Sequence, residues 1–265
     1  MELNLTGRKV VITGAGDGIG RNLALAFAAE GARVGVCARS EDRLRSLELE
    51  IGGKENIFYS ADLTKKEDLE SFYKAIIDGL EGPDILINNV GGIIKLATFF
   101  DLTDEDWDNS FQLNLMPAVR LTRLFIETLR HSQAPRIINI SSISAIRPND
   151  IFPHYSAMKA AMSNLTASLA KTLAPENILV NSISPGPVWS QSWEKESAEV
   201  AKQSESNIQT VKVNIQTQTA ETVPLKRMGV PEDLTGIALF LASDRASWIT
   251  GSNFTVDGGI VGDTF

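Results

Sequence analysis

A tyrosine and a lysine stand four residues apart in the segment HYSAMKAAMSNL, which spans residues 154–165. On a helix this spacing places Tyr155 and Lys159 one turn apart on the same face. A phenol has an ordinary pKa of about 10, and a neighbouring ammonium lowers that pKa because it favours the phenolate. The pair could therefore act as an acid/base group tuned by a cation. A partly buried tyrosine beside a solvated lysine would explain the same letters.

Two serines precede this pair at the end of the apolar run RIINIS, and Tyr155 follows Ser142 by thirteen residues. If the run is a strand of a parallel sheet, Ser142 lies at its carboxyl end, where open α/β sheets bind ligands. Its hydroxyl could then donate to the substrate oxygen that Tyr155 protonates. This chemistry suits carbonyl reduction, in which a hydride goes to carbon and a proton goes to oxygen. Ser141 and Ser142 could also simply end a strand.

A glycine-rich stretch, TGAGDGIG at 13–20, follows the first apolar run directly. Glycines in a strand-to-helix turn let backbone N–H groups and the helix N-terminus approach a pyrophosphate, whose charge the helix dipole favours. Gly14, Gly18 and Gly20 therefore predict a dinucleotide site, although any tight strand-to-helix turn uses glycine. A dinucleotide would carry the hydride that this chemistry requires.

Short β-branched runs alternate with segments of helical period along the whole chain. The runs are VVIT (10–13), RVGVCA (33–38), NIFYSA (56–61), DILIN (84–88), RIINIS (136–141), ILVNSIS (178–184) and NFTV (253–256). Most are apolar on both faces and are separated by enough chain for a crossover helix. We therefore predict an α/β fold with a doubly wound, parallel, seven-stranded sheet of the Rossmann type in a single domain. Helices are predicted over 104–130, interrupted at Pro117, and over 155–173.

Further motifs follow in an order that resembles the short-chain dehydrogenase/reductase family, and within it the 3-oxoacyl-ACP reductases. The glycine spacing Thr-Gly-x-x-x-Gly-x-Gly and the Ser…Tyr-x-x-x-Lys pattern are both similar to the family's. The other matching motifs are Asp62 in SADLT, Asn88-Asn89-Val90-Gly91, Asn114 in FQLNLM, Pro185-Gly186 with Val188 and Ser190, and Asp257-Gly258-Gly259. Val90 and Ser190 depart from the family's usual alanine and threonine. The resemblance covers nearly the whole chain.

The resemblance implies an NAD(P)-dependent enzyme that interconverts a ketone and a secondary alcohol, with one domain over 1–265 and a substrate loop at about 188–226. Tyr155 is then the acid/base, Lys159 its tuner and a ribose ligand, and Ser142 a donor to the substrate oxygen. Asn114 would hold a water that links Lys159 to solvent, although it could also be a buried amide bonded to backbone. The cofactor-binding residues that the resemblance implies are Gly14, Asp17, Gly18, Ile19, Gly20, Arg39, Asp62, Leu63, Asn89, Gly91, Tyr155, Lys159, Pro185, Gly186, Val188 and Ser190.

The choice between NADP and NAD should depend on the residues at the end of the second strand. NAD enzymes of this type place an acidic residue there, whereas this chain has Ala38 followed by Arg39. Arg39 could clasp a 2′-phosphate, and no carboxylate at that position would repel it. Asp17 argues the other way, because NADP-preferring relatives often carry a basic residue there. We predict NADP(H) as the preferred cofactor, with NAD(H) as the alternative.

Composition narrows the class of protein and its partners. The chain has 265 residues, of which 43% are hydrophobic, and a net charge of −8, which suits one packed domain and disfavours nucleic acid and anionic membranes as partners. Cys37 is the only cysteine, and neither a signal peptide nor a run of ~20 apolar residues is present. These features predict a soluble, cytoplasmic protein.

The sequence contains no Cys/His cluster that would predict a metal site. His131 should be solvated, and His154 should be structural or face the substrate loop.

The segment 191–222 is rich in Glu, Gln, Ser and Thr and poor in large apolar residues. A floppy surface insertion and a mobile lid both fit this composition, and the position of the segment relative to the family's substrate loop favours the lid. Trp189 and Trp193 at its start, with isoleucines near 93–94 and 143–151, predict a moderately apolar carbonyl or alcohol substrate.

Two wider expectations follow from the resemblance. It implies a homotetramer, with the two long predicted helices as candidates for pairing between subunits. The alternative from another functional class is a dinucleotide-binding sensor or scaffold that has lost catalysis. The joint presence of Asn114, Ser142, Tyr155 and Lys159 argues against that loss, because a sensor needs no proton relay.

Overall fold

A seven-stranded parallel sheet covered by helices is the framework of the computed structural model, which describes residues 2–262 apart from the side chains at positions 191, 192, 195, 196 and 203. The strands are β1 (Lys9–Thr13), β2 (Arg33–Ala38), β3 (Ile57–Ser60), β4 (Ile85–Asn88), β5 (Arg136–Ile140), β6 (Leu179–Pro185) and β7 (Asn253–Val256). The helices are α1 (Gly18–Ala29), α2 (Glu41–Ile51), α3 (Lys66–Leu80), α4 (Asp104–Asn114), α5 (Met116–Arg130), α6 (Pro153–Leu173), α7 (Gln191–Gln203), α8 (Ile208–Thr222) and α9 (Thr235–Ala242). The strand order β3-β2-β1-β4-β5-β6-β7 confirms the predicted doubly wound fold.

Helices cover both faces of the sheet. Successive side chains of a strand point to opposite faces, so both sets of side chains are buried. Val10 and Ile12 of β1 pack with α1, α2 and α9 on one face, whereas Val11 packs with α3, α5 and α6 on the other. Cys37 of β2 lies in the second cluster, and burial raises the pKa of its thiol to about 12. The thiol therefore packs as a small apolar group and stays protonated at neutral pH.

The segment 104–130 forms two helices instead of one. The chain leaves helical geometry at Leu115 (φ −127°, ψ −51°), and Pro117 lies in the first turn of α5. Proline lacks an N–H and its ring collides with the carbonyl four residues back, so it is tolerated in a first turn but not in a helix interior. The interruption that was predicted at Pro117 therefore falls two residues earlier, and it leaves Asn114 at the end of α4.

The segment 191–222 contains the helices α7 and α8, which its composition did not predict. Asn207 caps α8 by accepting hydrogen bonds from the N–H groups of Gln209 (2.8 Å) and Thr210 (3.4 Å). Ala201 of α7 and Val211 of α8 are buried. Few apolar side chains suffice, because each helix needs only a narrow stripe against its neighbour. The segment is thus a helical hairpin, not an irregular insertion.

Two kinds of feature are absent between residues 2 and 262. None of the helices there is both long enough and apolar enough to cross a membrane. In the same described part, no group of three or more His, Cys, Asp or Glu side chains is arranged to hold a metal ion.

Candidate active site

The carboxyl ends of β1 and β4 border the crevice at which the strand order reverses. The chain runs outward from β1 to β3 and then crosses to β4 on the other side of β1, which is the position where open α/β sheets bind ligands. Gly14 follows β1, and the Asn89 side chain follows β4. A Cβ on Gly14 would lie 3.1 Å from Asn89 Nδ2, so the two loops are in contact.

The glycine turn that follows β1 is held by Asn89. The Asn89 side chain donates from Nδ2 to the carbonyls of Thr13 (2.8 Å) and Gly14 (3.2 Å). A Cβ on Gly20 would come within 2.4 Å of both Asn89 Nδ2 and the Gly14 oxygen, so this position requires glycine. The Nδ2 group of Asn89 is therefore engaged within the protein, where it ties the loop after β4 to the glycine turn.

Asp17 caps the helix that opens from this turn. Its Oδ1 accepts from the N–H of Gly18 at 2.7 Å, and its Oδ2 lies 3.6 Å from Nη1 of Arg43 in α2. Arg43 was not among the predicted site residues, because a lone arginine in an exposed helix turn carries no motif. Ile19 lies in the first turn of α1, half-buried.

Asp62 and Leu63 follow the end of β3, and their predicted place beside the adenine stays a prediction. Partial burial opposes ionisation of Asp62, but hydrogen bonds from Thr64 and the charge of Arg39 outweigh it and lower the pKa of the carboxyl. Within the described chain, the Arg39 guanidinium forms no ion pair at contact distance. Leu63 is buried in the core under the sheet, so only its backbone is available to a ligand.

The two serines after β5 have different environments. The Ser142 hydroxyl accepts from the N–H of Ser144 (3.1 Å) and lies near the Tyr155 phenol, where it acts against the rise of the phenol pKa. The Ser141 hydroxyl donates to the carbonyl of Lys159 (3.0 Å) and pairs with that of Ser163. Ser141 therefore ties β5 to α6, whereas Ser142 is the serine next to the tyrosine.

Tyr155 and Lys159 lie in the first two turns of α6, which begins at Pro153, two residues before the predicted start. The Tyr155 ring packs edge-on against Phe152, and Lys159 Nζ lies 5.7 Å from the ring centroid. Lys159 Nζ also donates to the carbonyl of Ile140 at 2.8 Å. The predicted proximity of the two side chains is thus present in the structure.

Burial shifts the pKa values of both members of this pair. Burial raises the pKa of the Tyr155 phenol, and the nearby Ser142 hydroxyl offsets only part of that rise. Burial also lowers the pKa of Lys159 to about 8. In the chain by itself, desolvation therefore outweighs the nearby ammonium. The lowering of the tyrosine pKa was predicted with an oxidised nicotinamide beside the pair, and it stays a prediction.

Asn114 is a buried amide bonded to backbone, which was the alternative interpretation of this residue. Its Oδ1 accepts from the N–H of Gly92 (2.8 Å), and its Nδ2 donates to the carbonyls of Gly92 and Ser110 (3.1 Å each). A Cβ on Gly91 would lie 2.8 Å from Asn114 Oδ1 and 2.9 Å from Lys159 Nζ. Asn114 and Lys159 thus converge on Gly91, and the water-holding role of Asn114 stays a prediction.

The loop after β6 runs across the glycine turn. It leaves the strand at Pro185, and Gly186 lies against Asp257, so that a Cβ on this glycine would be 2.7 Å from the Asp257 Cα. Val188 is buried and bridges to Gly229. Ser190 Cβ would lie 3.4 Å from a Cβ on Gly18, which places this loop beside the predicted phosphate site.

The two histidines differ in their exposure. His131 is exposed, as predicted. His154 is fully buried; its ring contacts Trp107 edge-on (centroids 6.2 Å apart), and neither ring nitrogen has a hydrogen-bond partner in the described chain. Burial lowers its pKa, and the nearby Lys95 adds to this while Asp106 opposes it. His154 is therefore a neutral packing residue, in agreement with the structural role that was one of its two predicted roles.

Replacement of His154 by methionine should stabilise the protein, by about 1 kcal/mol at neutral pH, because two unpaired buried nitrogens are removed. The gain should grow as the pH falls below about 6.5, since the unfolded chain then takes up a proton that the folded imidazole resists. Urea unfolding at about pH 7.5 and about pH 5.5 measures both effects.

The exposed His131→Met variant is the matched control for this experiment and should leave stability unchanged at both pH values. Equal losses of stability on acidification in the wild type and in His154→Met would show that His154 does not carry the acid sensitivity.

Comparison with known proteins places this geometry in context. A family model described as Enoyl-(Acyl carrier protein) reductase matches residues 14–261. Nodulation protein G of Rhizobium sp. (strain N33) is 33% identical over 256 residues, covering 97% of this chain and 98% of that protein. A 3-oxoacyl-(acyl-carrier-protein) reductase of Aquifex aeolicus is 33% identical, covering 98% and 100%. The solved structure of L-sorbose reductase from Gluconobacter frateurii, complexed with NADPH and L-sorbose, superposes with a TM-score of 0.91 at 33% identity, covering 99% of this chain and 100% of the other.

Proposed function

This chain belongs to the short-chain dehydrogenase/reductase family, and on that premise we propose that it is an NADP(H)-dependent oxidoreductase that interconverts a ketone and a secondary alcohol. The observation that carries the proposal is the proximity of the Ser142 hydroxyl to the Tyr155 phenol, beside the buried Lys159. These groups stand at the carboxyl ends of the strands, where the glycine turn also lies. A bound nicotinamide would supply or accept the hydride at the substrate carbon.

Tyr155 is the proton donor in the reductive direction. Its raised pKa keeps the phenol protonated at neutral pH, so a proton is available for the carbonyl oxygen as that oxygen gains negative charge. Ser142 donates a second hydrogen bond to the same oxygen once its hydroxyl turns from the phenol. The Lys159 ammonium stabilises the phenolate that remains, and it is held within reach by the Ile140 carbonyl.

The residues at the crevice fit a phosphorylated dinucleotide. The turn from Gly14 to Gly20 presents the N-terminus of α1, and the end of β2 carries Arg39 without a neighbouring strand-end carboxylate. The similar L-sorbose reductase was solved with NADPH. We therefore favour NADP(H) over NAD(H), with Asp62 on the adenine side.

The substrate that we propose is a moderately apolar carbonyl compound or alcohol. Four isoleucines on the loops that follow β4 and β5 are 41–43% exposed: Ile93, Ile94, Ile146 and Ile151. A hydrogen bond from the N–H of Ala97 to the carbonyl of Ile151 (2.7 Å) ties the two loops together. The stacked indoles of Trp189 and Trp193, with centroids 6.1 Å apart, add apolar surface where the α7–α8 hairpin begins.

The α7–α8 hairpin is the proposed substrate lid, within the segment of about 188–226. Glu194 accepts a hydrogen bond from Trp189 Nε1 (2.8 Å) and forms an ion pair with Lys212 of α8. These contacts connect the start of the hairpin to its second helix. Movement of the hairpin would therefore shift both tryptophans at the substrate entrance.

A homotetramer is the proposed assembly, by analogy with the family. Of the described large apolar side chains that are exposed, none lies on α4, α5 or α6, whereas Trp248 is 98% exposed a few residues before the edge strand β7. The tryptophan and the edge strand support an interface at that side of the sheet. Light scattering that returned the mass of a single chain would contradict the assembly.

Activity and binding assays test the proposal together. NADPH consumption should be observed with a 3-oxoacyl thioester or an aliphatic ketone and should be weaker with L-sorbose as the polar comparison. Calorimetry should show tighter binding of NADP than of NAD. Tight dinucleotide binding without turnover on a broad panel would instead favour the sensor, and NAD binding at least as tight as NADP would reject the cofactor preference.

A further inference from the structure

Arg43 and Asp17 form an ion pair beside the position proposed for the adenosine ribose. Arg43 Nη1 lies 3.6 Å from Asp17 Oδ2, and the other oxygen of Asp17 accepts from the Gly18 N–H at 2.7 Å. On the basis of the proposed NADP(H) function, we infer that Arg43 is a second ligand of the 2′-phosphate of NADP(H), in addition to Arg39. Asp17 competes with that phosphate for Arg43 and thereby sets the selectivity between NADP and NAD.

Packing of the glycine turn places the Arg43 guanidinium at this position. A Cβ on Gly16 would be 2.9 Å from the Ala38 Cβ and 3.7 Å from both Cβ and Cδ of Arg43. The turn therefore rests on the end of β2, and the methylene stem of Arg43 lies along it. The stem of Arg43 therefore lies close to Ala38, at the strand end where an NAD enzyme would carry its acidic residue, and the guanidinium lies beside Asp17.

Arg39 and Arg43 interact with different carboxylates near the end of β2. The charge of Arg39 acts on Asp62 after β3, whereas Arg43 faces Asp17 after β1. Each arginine therefore interacts with a different carboxylate. A 2′-phosphate between the two arginines would carry more negative charge than Asp17 and offer oxygens to both guanidinium groups.

The ion pair between Arg43 and Asp17 is weak enough for a phosphate to replace Asp17 as the partner of Arg43. The side chains of Arg43 and Asp17 are 37% and 41% exposed, and a single contact of 3.6 Å is a weak ion pair in water. Asp17 keeps its hydrogen bond to Gly18 when Arg43 turns away, so the helix cap is preserved. The charge of Asp17 remains close, however, and its attraction for Arg43 opposes binding of the phosphate.

Calorimetry with two pairs of ligands tests this assignment: NADP against NAD, and adenosine 2′,5′-bisphosphate against 5′-AMP. Arg43→Ala should weaken binding of both 2′-phosphorylated ligands by about tenfold and leave NAD and 5′-AMP within about twofold. Asp17→Asn, which can still cap Gly18, should tighten the 2′-phosphorylated ligands by about tenfold. In the double variant the gain from Asp17→Asn should fall below about threefold, because the freed arginine is gone.

Arg45→Ala is the matched control, since Arg45 is exposed on the same helix and its loss changes the net charge equally. It should leave all four affinities unchanged. Equal weakening of NAD and NADP by Arg43→Ala would overturn the assignment, as would an Asp17→Asn gain that persists in full without Arg43. If the wild type binds neither dinucleotide, the proposed function itself fails, whereas unchanged ratios in variants of a dinucleotide-binding protein reject only the role of Arg43.

Discussion

Replacement of Tyr155 by phenylalanine should lower kcat for carbonyl reduction by about 10²- to 10⁴-fold, the usual contribution of a positioned general acid. The variant keeps the ring, and with it the edge contact to Phe152 and the position of the ring near Lys159. Only the hydroxyl that lies near Ser142 is lost. Affinity for NADP should therefore change by less than about twofold, so that the loss lies in kcat.

Tyr73→Phe is the matched control for this variant. Tyr73 packs against Phe125 in the core below the sheet, with ring centroids 5.1 Å apart, far along the chain from the site. Steady-state kinetics should show wild-type turnover for Tyr73→Phe. Retention of more than about a tenth of the turnover by Tyr155→Phe would exclude Tyr155 as the proton donor.

Replacement of Lys159 by methionine should lower activity and raise stability together. Loss of the ammonium removes the charge that stabilises the Tyr155 phenolate, and kcat should fall by about 10²-fold or more. The same ammonium is buried, and burial lowers its pKa from 10.5 to about 8. That difference corresponds to a folding cost of up to about 3 kcal/mol, reduced by about 1 kcal/mol for the hydrogen bond that the Ile140 carbonyl loses.

The pH dependence of this stability gain has a definite sign. Between about pH 8 and pH 10.5, Lys159 is protonated in the unfolded chain and neutral in the folded chain. The stability of the wild type therefore falls as the pH falls through that range. The gain from Lys159→Met should thus be complete at about pH 7 and vanish above about pH 10.5. Urea unfolding at several pH values measures it.

Lys171→Met serves as the control on the same helix, because Lys171 is exposed in the last turn of α6. It should alter neither turnover nor the pH dependence of stability. A Lys159→Met protein that is less stable than the wild type at neutral pH would show that the hydrogen bond to Ile140 outweighs the desolvation of the ammonium.

Local patterns predicted most of the fold. The seven β-branched runs match the seven strands to within about one residue at each end, because residues buried on both faces must be apolar throughout. Pro117 predicted a break in the helix, because a proline ring is not tolerated in a helix interior. The α7–α8 hairpin escaped prediction because its apolar stripe is narrow and becomes visible only when each helix covers the other.

The sequence predicted which residues of the candidate site lie close together, because their spacing along the chain could be recognised. Ser142, Tyr155 and Lys159 meet because a strand end and the first turns of a helix bring them together, and both elements could be recognised from their own residues. The spacing could not distinguish the environment of Ser141 from that of Ser142. That distinction depends on Ser163 and the Lys159 carbonyl, which belong to a helix packed against the strand.

The amino-acid sequence by itself determined the candidate catalytic residues and the edge of the sheet at which they stand, because alternation, proline and glycine spacing act over a few neighbouring residues. Only the tertiary structure decided how those groups are tuned. Burial raises the pKa of Tyr155 and lowers that of Lys159, and the approach of α2 to the glycine turn pairs Arg43 with Asp17. Desolvation and ion pairing depend on atoms that are distant in the chain, so the packing of the elements sets them.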